Sequence, residues 1–299
     1  MPKKLEKKNR IWELDFIRGL CVLLMIFDHT MYDIADIFGK AWYQAAADAG
    51  KANAGVLHDL WQVARTYYFG STQSTFWGVL STGSPIRAFV EPLVVIIFAI
   101  VCGISCSFSR NNLKRGIELG IFAILITVVT RLIDESMMIT FGVFQMFTVA
   151  ILFWCLIDFV CRHDKIKTAM VSGMIGVAML TINYVLVSIW LQDAQAFSDN
   201  SNGFFLGYFM LGVNKIPSAD YQPIFPYVAW MLIGAGLGPI IYRNKKSLLP
   251  HLGKYDWYEP INVWGRCAMW VDVAHQVVIA LMLGLISVIF LTPGDFVII

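Results

Sequence analysis

The chain has 299 residues, of which 58% are hydrophobic and only 15% charged, with a mean hydropathy of +0.64. A soluble domain of this length carries about a quarter charged residues, so the composition excludes an ordinary soluble enzyme and indicates a polytopic α-helical membrane protein. The formal net charge of +2 is small. No basic patch interleaved with aromatics lies outside the apolar runs, so nucleic-acid binding has no support.

In chain order, the start "MPKKLEKKNR" is basic and reads as a cytoplasmic tail over 1–10. The apolar run that follows contains Asp15 and Arg18 and no small-residue cleavage pattern, which predicts a retained first helix instead of a signal peptide. Hydropathy predicts about seven membrane spans, near 14–36, 87–108, 116–133, 138–160, 168–191, 223–242 and 266–291. Residues 37–86 form a long aromatic-rich segment, in which "DLWQVARTYYFG" has the pattern of an interfacial helix. The stretch "GFFLGYFMLGV" (203–213) is too short to span, and is a candidate re-entrant segment or part of an eighth helix. Lys and Arg cluster before the first span and in alternate connections (Arg110, Lys114 and Arg115; Arg162, Lys165 and Lys167; Arg243, Lys245 and Lys246). The positive-inside rule places all of these in the cytoplasm, and with them the N-terminus, leaving 37–86 extracytoplasmic. The expected fold is thus all-α, a single transmembrane helical bundle over 1–299 without repeats or soluble appendage.

The cysteines lie in or beside apolar runs without a CxxC pair, which predicts buried thiols instead of a disulfide or zinc site. No HExxH, P-loop, GxSxG or metal-ligand spacing occurs, so no metal is expected. The chemistry concentrates in the first helix. Asp15, Arg18, Asp28, His29 and Asp33 lie in or beside hydrocarbon, where an ionisable group costs about 2.5–3.5 kcal/mol on insertion scales. Arg18 and His29 are eleven positions apart, three helical turns, so they share a face at a separation of about 16 Å along the axis. Asp15 and Asp33 fall at i−3 of Arg18 and i+4 of His29, within pairing distance on that face. The face must look inward. It forms either an ion-pair network that locks helix packing or a functional cavity with His29 as base, oriented by Asp28 or Asp33.

Other polar islands extend the theme. His275–Gln276 sits inside the last span with Asp272 on the same face, so a cavity shared with His29 is one reading and a packed, hydrogen-bonded histidine the other. "SADYQPIFPYVAW" (218–230) puts Asp220 and Tyr221 before two prolines that suit a helix start. "GAGLGP" (234–239) reads as a small-residue contact between helices. Of the loop histidines, His58 is the one placed to face the outer mouth.

Five stretches resemble a known family in the same order along the chain. "LDFIRGLCVLLMIFDH" is similar to the first-helix motif of bacterial membrane proteins related to heparan-α-glucosaminide N-acetyltransferase, an integral-membrane acetyl-CoA enzyme. "IIFAIVCGISCSFS" resembles its second helix, "FGVFQMFTVAILF" its fourth, "DYQPIFPYVAWMLIGAGLG" its DY-x-P-x-x-PW segment, with Tyr227 where Trp is usual, and "RCAMWVDVAHQVVIALML" its closing helix. The more distant acyltransferase-3 family shares the Arg-x10-His spacing. The resemblance implies an acyltransferase of the cell membrane, moving an acetyl or other acyl group from cytoplasmic acyl-CoA to an amine or hydroxyl of an extracytoplasmic sugar or envelope acceptor. Carried over, His29, Asp28, Asp33 and His275 become the expected catalytic set, Arg18, Asp15 and Gln276 the donor-binding set, and Asp220, Tyr221 and His58 the acceptor-binding set. His29 would act as a base or take the acyl group itself. The competing class is a proton-coupled transporter or lipid-binding protein, against which the lack of visible inverted repeats weighs. A third option is a membrane protein that keeps the fold without the chemistry.

Overall fold

The computed structural model describes residues 11–48, 56–74, 81–133, 135, 138–192, 218, 220–254 and 256–290. The basic tail over 1–10 and the short apolar stretch 203–213 lie outside the described residues. The apolar runs become helices because hydrocarbon leaves every backbone N–H and C=O to be satisfied within its own segment. The order is α1 (Trp12–Tyr32), a π-helical stretch (Asp33–Phe38), α2 (Gly39–Asp48), α3 (Val56–Tyr68), a hairpin of β1 (Thr72–Ser74) and β2 (Ser81–Gly83), and α4 (Pro85–Phe108). Then come α5 (Asn112–Ile133), α6 (Val143–Val160), α7 (Lys165–Gln192), α8 (Ile224–Ile241), α9 (Glu259–Arg266) and α10 (Ala268–Phe290). The expected all-α class holds; the strands are three residues each, antiparallel, with Thr72 opposite Gly83 and Ser74 opposite Ser81.

Among the described residues, α4, α5, α6, α7, α8 and α10 are long and apolar enough to cross a membrane. Helix α1 has 21 residues and the length to span, but Glu13, Asp15, Arg18 and Asp28 set its composition apart from those six. The expected count of about seven therefore turns on α1. The last expected span, near 266–291, is α10, and a turn at Cys267 separates it from the short α9 before it.

The chain divides into two compact units, one of Met1–Glu13, Trp77–Leu80 and Val95–Leu252, the other of Leu14–Phe76, Ser81–Val94 and Gly253–Ile299. The first has its core where α4, α6 and α8 bury Ile96, Ala99, Met146, Phe147, Ala150, Trp154, Tyr227, Met231 and Leu232. The glycines of "GAGLGP" do form helix contacts: Gly234 abuts the carbonyl of Ile100 on α4, and Gly236 abuts Gly173 on α7. Helix α5 exposes Leu113, Ile117, Ile121, Ile124 and Val128, spaced by three or four, the apolar stripe expected against lipid. The local start signals also appear. Asp164 accepts the amides of Ile166 and Lys167 at the head of α7, and Pro223 precedes α8.

In the second unit, Ile34, Ala35, Phe38, Trp42, Ala64, Ile279 and Leu283 form the core between the π-helical stretch, α2, α3 and α10. Two indoles fasten it: Trp42 Nε1 donates to Ser287 Oγ at 2.7 Å, and Trp61 Nε1 to the Ala35 carbonyl at 3.2 Å. The segment "DLWQVARTYYFG" is helical as expected through Tyr68, with Trp61 and Ala64 buried and Leu60, Val63 and, just past the helix, Phe69 exposed. Helix α9 runs antiparallel to the first half of α1, backbone against backbone. A Cβ on Gly265 would stand 1.8 Å from the Asp15 carbonyl oxygen, and one on Gly19 would stand 2.2 Å from that of Ile261.

Candidate active site

The site lies in the second unit and grows from the C-terminal half of α1. Tyr32 is the last residue of regular α-helix; from Asp33 the chain winds as π-helix. The wider turn breaks the 100° step on which an i,i+4 pair depends. Asp33 is accordingly turned toward α10, where the Gln276 amide donates to both of its carboxylate oxygens at 2.9 Å. Gln276, expected on the donor, holds Asp33, whose residue is 1% exposed.

His29 meets His275. Its Nδ1 lies 2.7 Å from His275 Nε2, with ring centroids 4.9 Å apart and planes within 12°. The protons on this pair follow from the far end. His275 Nδ1 lies 2.6 Å from the backbone carbonyl of Asp272, one turn earlier on α10, and a carbonyl only accepts, so Nδ1 carries the proton. Neutral His275 then presents a lone pair at Nε2, and His29 must donate to it from Nδ1. That leaves Nε2 of a neutral His29 without a proton, as a base or nucleophile needs. His275 is buried, and His29 half-buried.

Asp28, one of the two carboxylates expected to orient His29, is engaged elsewhere. Arg87, at the start of α4, donates to it twice, from Nε to Oδ1 at 2.9 Å and from Nη2 to Oδ2 at 3.2 Å. Tyr67 adds its hydroxyl at 3.2 Å from Oδ1. Burial, with the neighbouring Asp28 charge, pushes the Tyr67 phenol up to about 12, so it stays a neutral donor. Arg87 also donates from Nη1 to the Thr82 carbonyl at 2.5 Å and lies 3.9 Å over the Tyr68 ring. The two charged side chains are 11% and 16% exposed. Removing one partner of such a pair strands a buried charge, at about 3–5 kcal/mol.

The local sequence builds this clamp. Ser84 Oγ accepts the Arg87 amide and Pro85 occupies the first helical position, so α4 starts with Arg87 in its first turn. Gly83 closes the hairpin around it at φ +142°, where a Cβ would stand 2.9 Å from Arg87 Cδ and 3.2 Å from the Tyr68 carbonyl oxygen. Gly83→Ala should therefore cost about 1–3 kcal/mol through backbone strain, read as a lower melting temperature of the purified protein. An unchanged melting temperature would mean that the hairpin does not constrain Arg87.

The remaining expected residues are placed as follows. Arg18 Nη1 donates to Asp15 Oδ1 at 2.7 Å, the i,i+3 pair the spacing predicts. His58 sits on α3 beside Trp61 and Tyr43, at ring distances of 5.9 and 6.1 Å, and is not grouped with His29. Asp220 and Tyr221 belong to the first unit, where Ser218 Oγ donates to the Asp220 carbonyl at 2.6 Å and the Tyr221 ring lies 6.5 Å from Phe141. Among the described residues, no group of three His, Cys, Asp or Glu side chains is placed to hold a metal ion. The residues that the sequence reading missed are Arg87, Tyr67 and the Thr82 carbonyl. The one available signal was a cation at the very start of an apolar run, in "SPIRAFVEP".

Fold and site together define a multi-pass membrane protein with a titratable centre among its helices. Residues 10–52 and 65–277 match the family described as heparan-alpha-glucosaminide N-acetyltransferase, catalytic, and the chain belongs to that family, one of membrane acetyltransferases. No curated protein and no solved structure matches it.

Proposed function

We propose that the chain transfers an acetyl or related acyl group from cytoplasmic acyl-CoA to an amine or hydroxyl of an extracytoplasmic glycan or similar acceptor, with His29 at the reacting centre. The observation that carries this reading is the 2.7 Å contact between the imidazoles, which assigns the bare nitrogen of His29 to Nε2. Acyl transfer from a thioester needs a group that takes the proton of the attacking amine or hydroxyl and returns one to the departing thiolate. His29 Nε2 would do both, while His275 holds the ring and stabilises the imidazolium that forms in between. The same nitrogen is a nucleophile toward the thioester carbonyl. In that route an acyl-imidazole forms as thiolate leaves, and parallel initial-rate lines mark it against the intersecting lines of direct transfer. Arg18 precedes His29 by three turns of regular helix, about 16 Å, and supplies a cation toward the phosphate end of an extended donor. The positive-inside rule supports a cytoplasmic location for that end and for the N-terminus.

The experiment is binding. Purified protein should retain acetyl-CoA and release free CoA when an amino-sugar acceptor is added. Absence of any bound acyl-CoA, both copurified and added, would remove this function.

A further inference from the structure

A cavity of about 430 Å³ opens on α3, lined by Trp61, Gln62, Arg65, Thr66, Phe69 and Gly70. Gln62, Arg65, Thr66 and Phe69 follow the i, i+3, i+4, i+7 spacing of one helix face, with Phe69 just past the last turn. The walls are braced. Trp61 Nε1 donates to the Ala35 carbonyl at 3.2 Å, and the Tyr43 ring stacks on Trp61 at 4.8 Å. The Arg65 guanidinium lies 5.3 Å over the Trp61 ring, a contact that orients the fork. Among the described residues Arg65 forms no ion pair. Behind Gly70 stands the hairpin, where an added Cβ would be 2.6 Å from the Gly83 carbonyl oxygen. The lining thus holds one cation, one amide, one hydroxyl and no carboxylate. Asp59 stands outside it, 3.5 Å from His58 Nδ1. Such a set takes an oxyanion, with two parallel N–H bonds from the guanidinium and one each from Gln62 and Thr66.

The source of the oxyanion follows from the rest of the helix. Leu60 and Val63 form an exposed apolar face away from the cavity, and Phe69 is exposed at the cavity itself. An amphipathic helix lays such a face into the boundary between acyl chains and headgroups. A helix about 10 Å across then carries its other side in the layer of lipid phosphates. The positive-inside rule supports the extracytoplasmic surface for α3. We propose that the α3 cavity binds the phosphate headgroup of an anionic membrane lipid, with Arg65 as its cation and Gln62 and Thr66 as further donors. This site is independent of the transfer reaction. A lipid held there would fasten the extracytoplasmic segment to the membrane surface, on the helix whose Tyr67 hydrogen-bonds Asp28.

Hydrogen exchange of the full-length protein in a neutral detergent, read by mass spectrometry on peptides covering 56–70, reports occupancy of the cavity. Phosphatidylglycerol should slow exchange in these peptides. Diacylglycerol with the same chains, and glycerol 3-phosphate, should not do so at the same concentration. The basic loops elsewhere also attract an anionic lipid, but they report on their own peptides. Arg65→Gln should need about tenfold more phosphatidylglycerol for the same protection, the loss of a charge-assisted pair to phosphate. Equal protection by diacylglycerol would reduce the contact to the apolar face and overturn the headgroup site. Equal protection by glycerol 3-phosphate would make it a site for soluble phosphates and overturn the lipid. Wild-type protection in Arg65→Gln, or none in the wild type, would overturn the proposal as well. Should Arg65→Gln fail to fold, Gln62→Leu with Thr66→Val removes the other donors, and unweakened protection in that variant overturns the site.

Discussion

His29→Ala should lower acyl transfer by about 10²–10⁴-fold, the usual worth of a positioned general acid–base, with the helical content and elution volume of the purified protein unchanged. The loss should fall mainly on kcat, because the imidazole acts on a proton that moves only in the transition state, while donor binding is left to other residues. His29 is half-buried and hydrogen-bonds His275, so alanine leaves the His275 Nε2 lone pair without its donor while Nδ1 stays bonded to the Asp272 carbonyl. A variant that keeps full turnover would eliminate His29 as base and as acyl carrier alike.

The second large effect is structural. Gly265→Ala should destabilise the protein by more than about 3 kcal/mol, since the added methyl would stand 1.8 Å from the Asp15 carbonyl oxygen, and a main-chain atom cannot swing aside. Gly284→Ala on α10 is the control, with nothing within 4 Å of the added methyl, and should be neutral or slightly stabilising. Thermal unfolding of the two variants in the same detergent measures the difference. Equal stability would show that α9 is not seated against α1.

Much of the fold was legible because its cause is local. An apolar run near 20 residues has to become a helix in hydrocarbon, and α4 to α8 fall within a few residues of the expected spans. The Asp15–Arg18 pair was legible for the same reason, being a property of one helix at 3.6 residues per turn. Periodicity failed where winding changed. Asp33 is four residues after His29, yet the π-helical stretch turns it to Gln276, and no composition rule marks that change of pitch. It also failed where partners come from afar. A polar face on α1 had to look inward, but nothing in its spacing says that Asp28 meets an arginine 59 residues away, or His29 a histidine 246 residues away. The pairing of His29 with His275 was one of two readings the sequence left open. Arg87 was passed over because a cation at a span's edge is ordinarily read as an interfacial anchor.

The hydrogen bonds that begin at His29 end at the main chain. His275 donates its Nδ1 proton in a hydrogen bond to the Asp272 carbonyl, an oxygen that does not become protonated, and the Asp272 carboxylate lies 3.9 Å from the same nitrogen. The pair thus runs from the free nitrogen of His29 to a main-chain oxygen. A proton taken up at His29 Nε2 stands one hydrogen bond from His275 and two from the Asp272 carbonyl. A transporter driven by protons needs a thoroughfare from one face of the membrane to the other. A transferase needs only a loan, repaid to the leaving group within the same turnover, and a base whose hydrogen-bonded partner is braced on a main-chain oxygen suits that need.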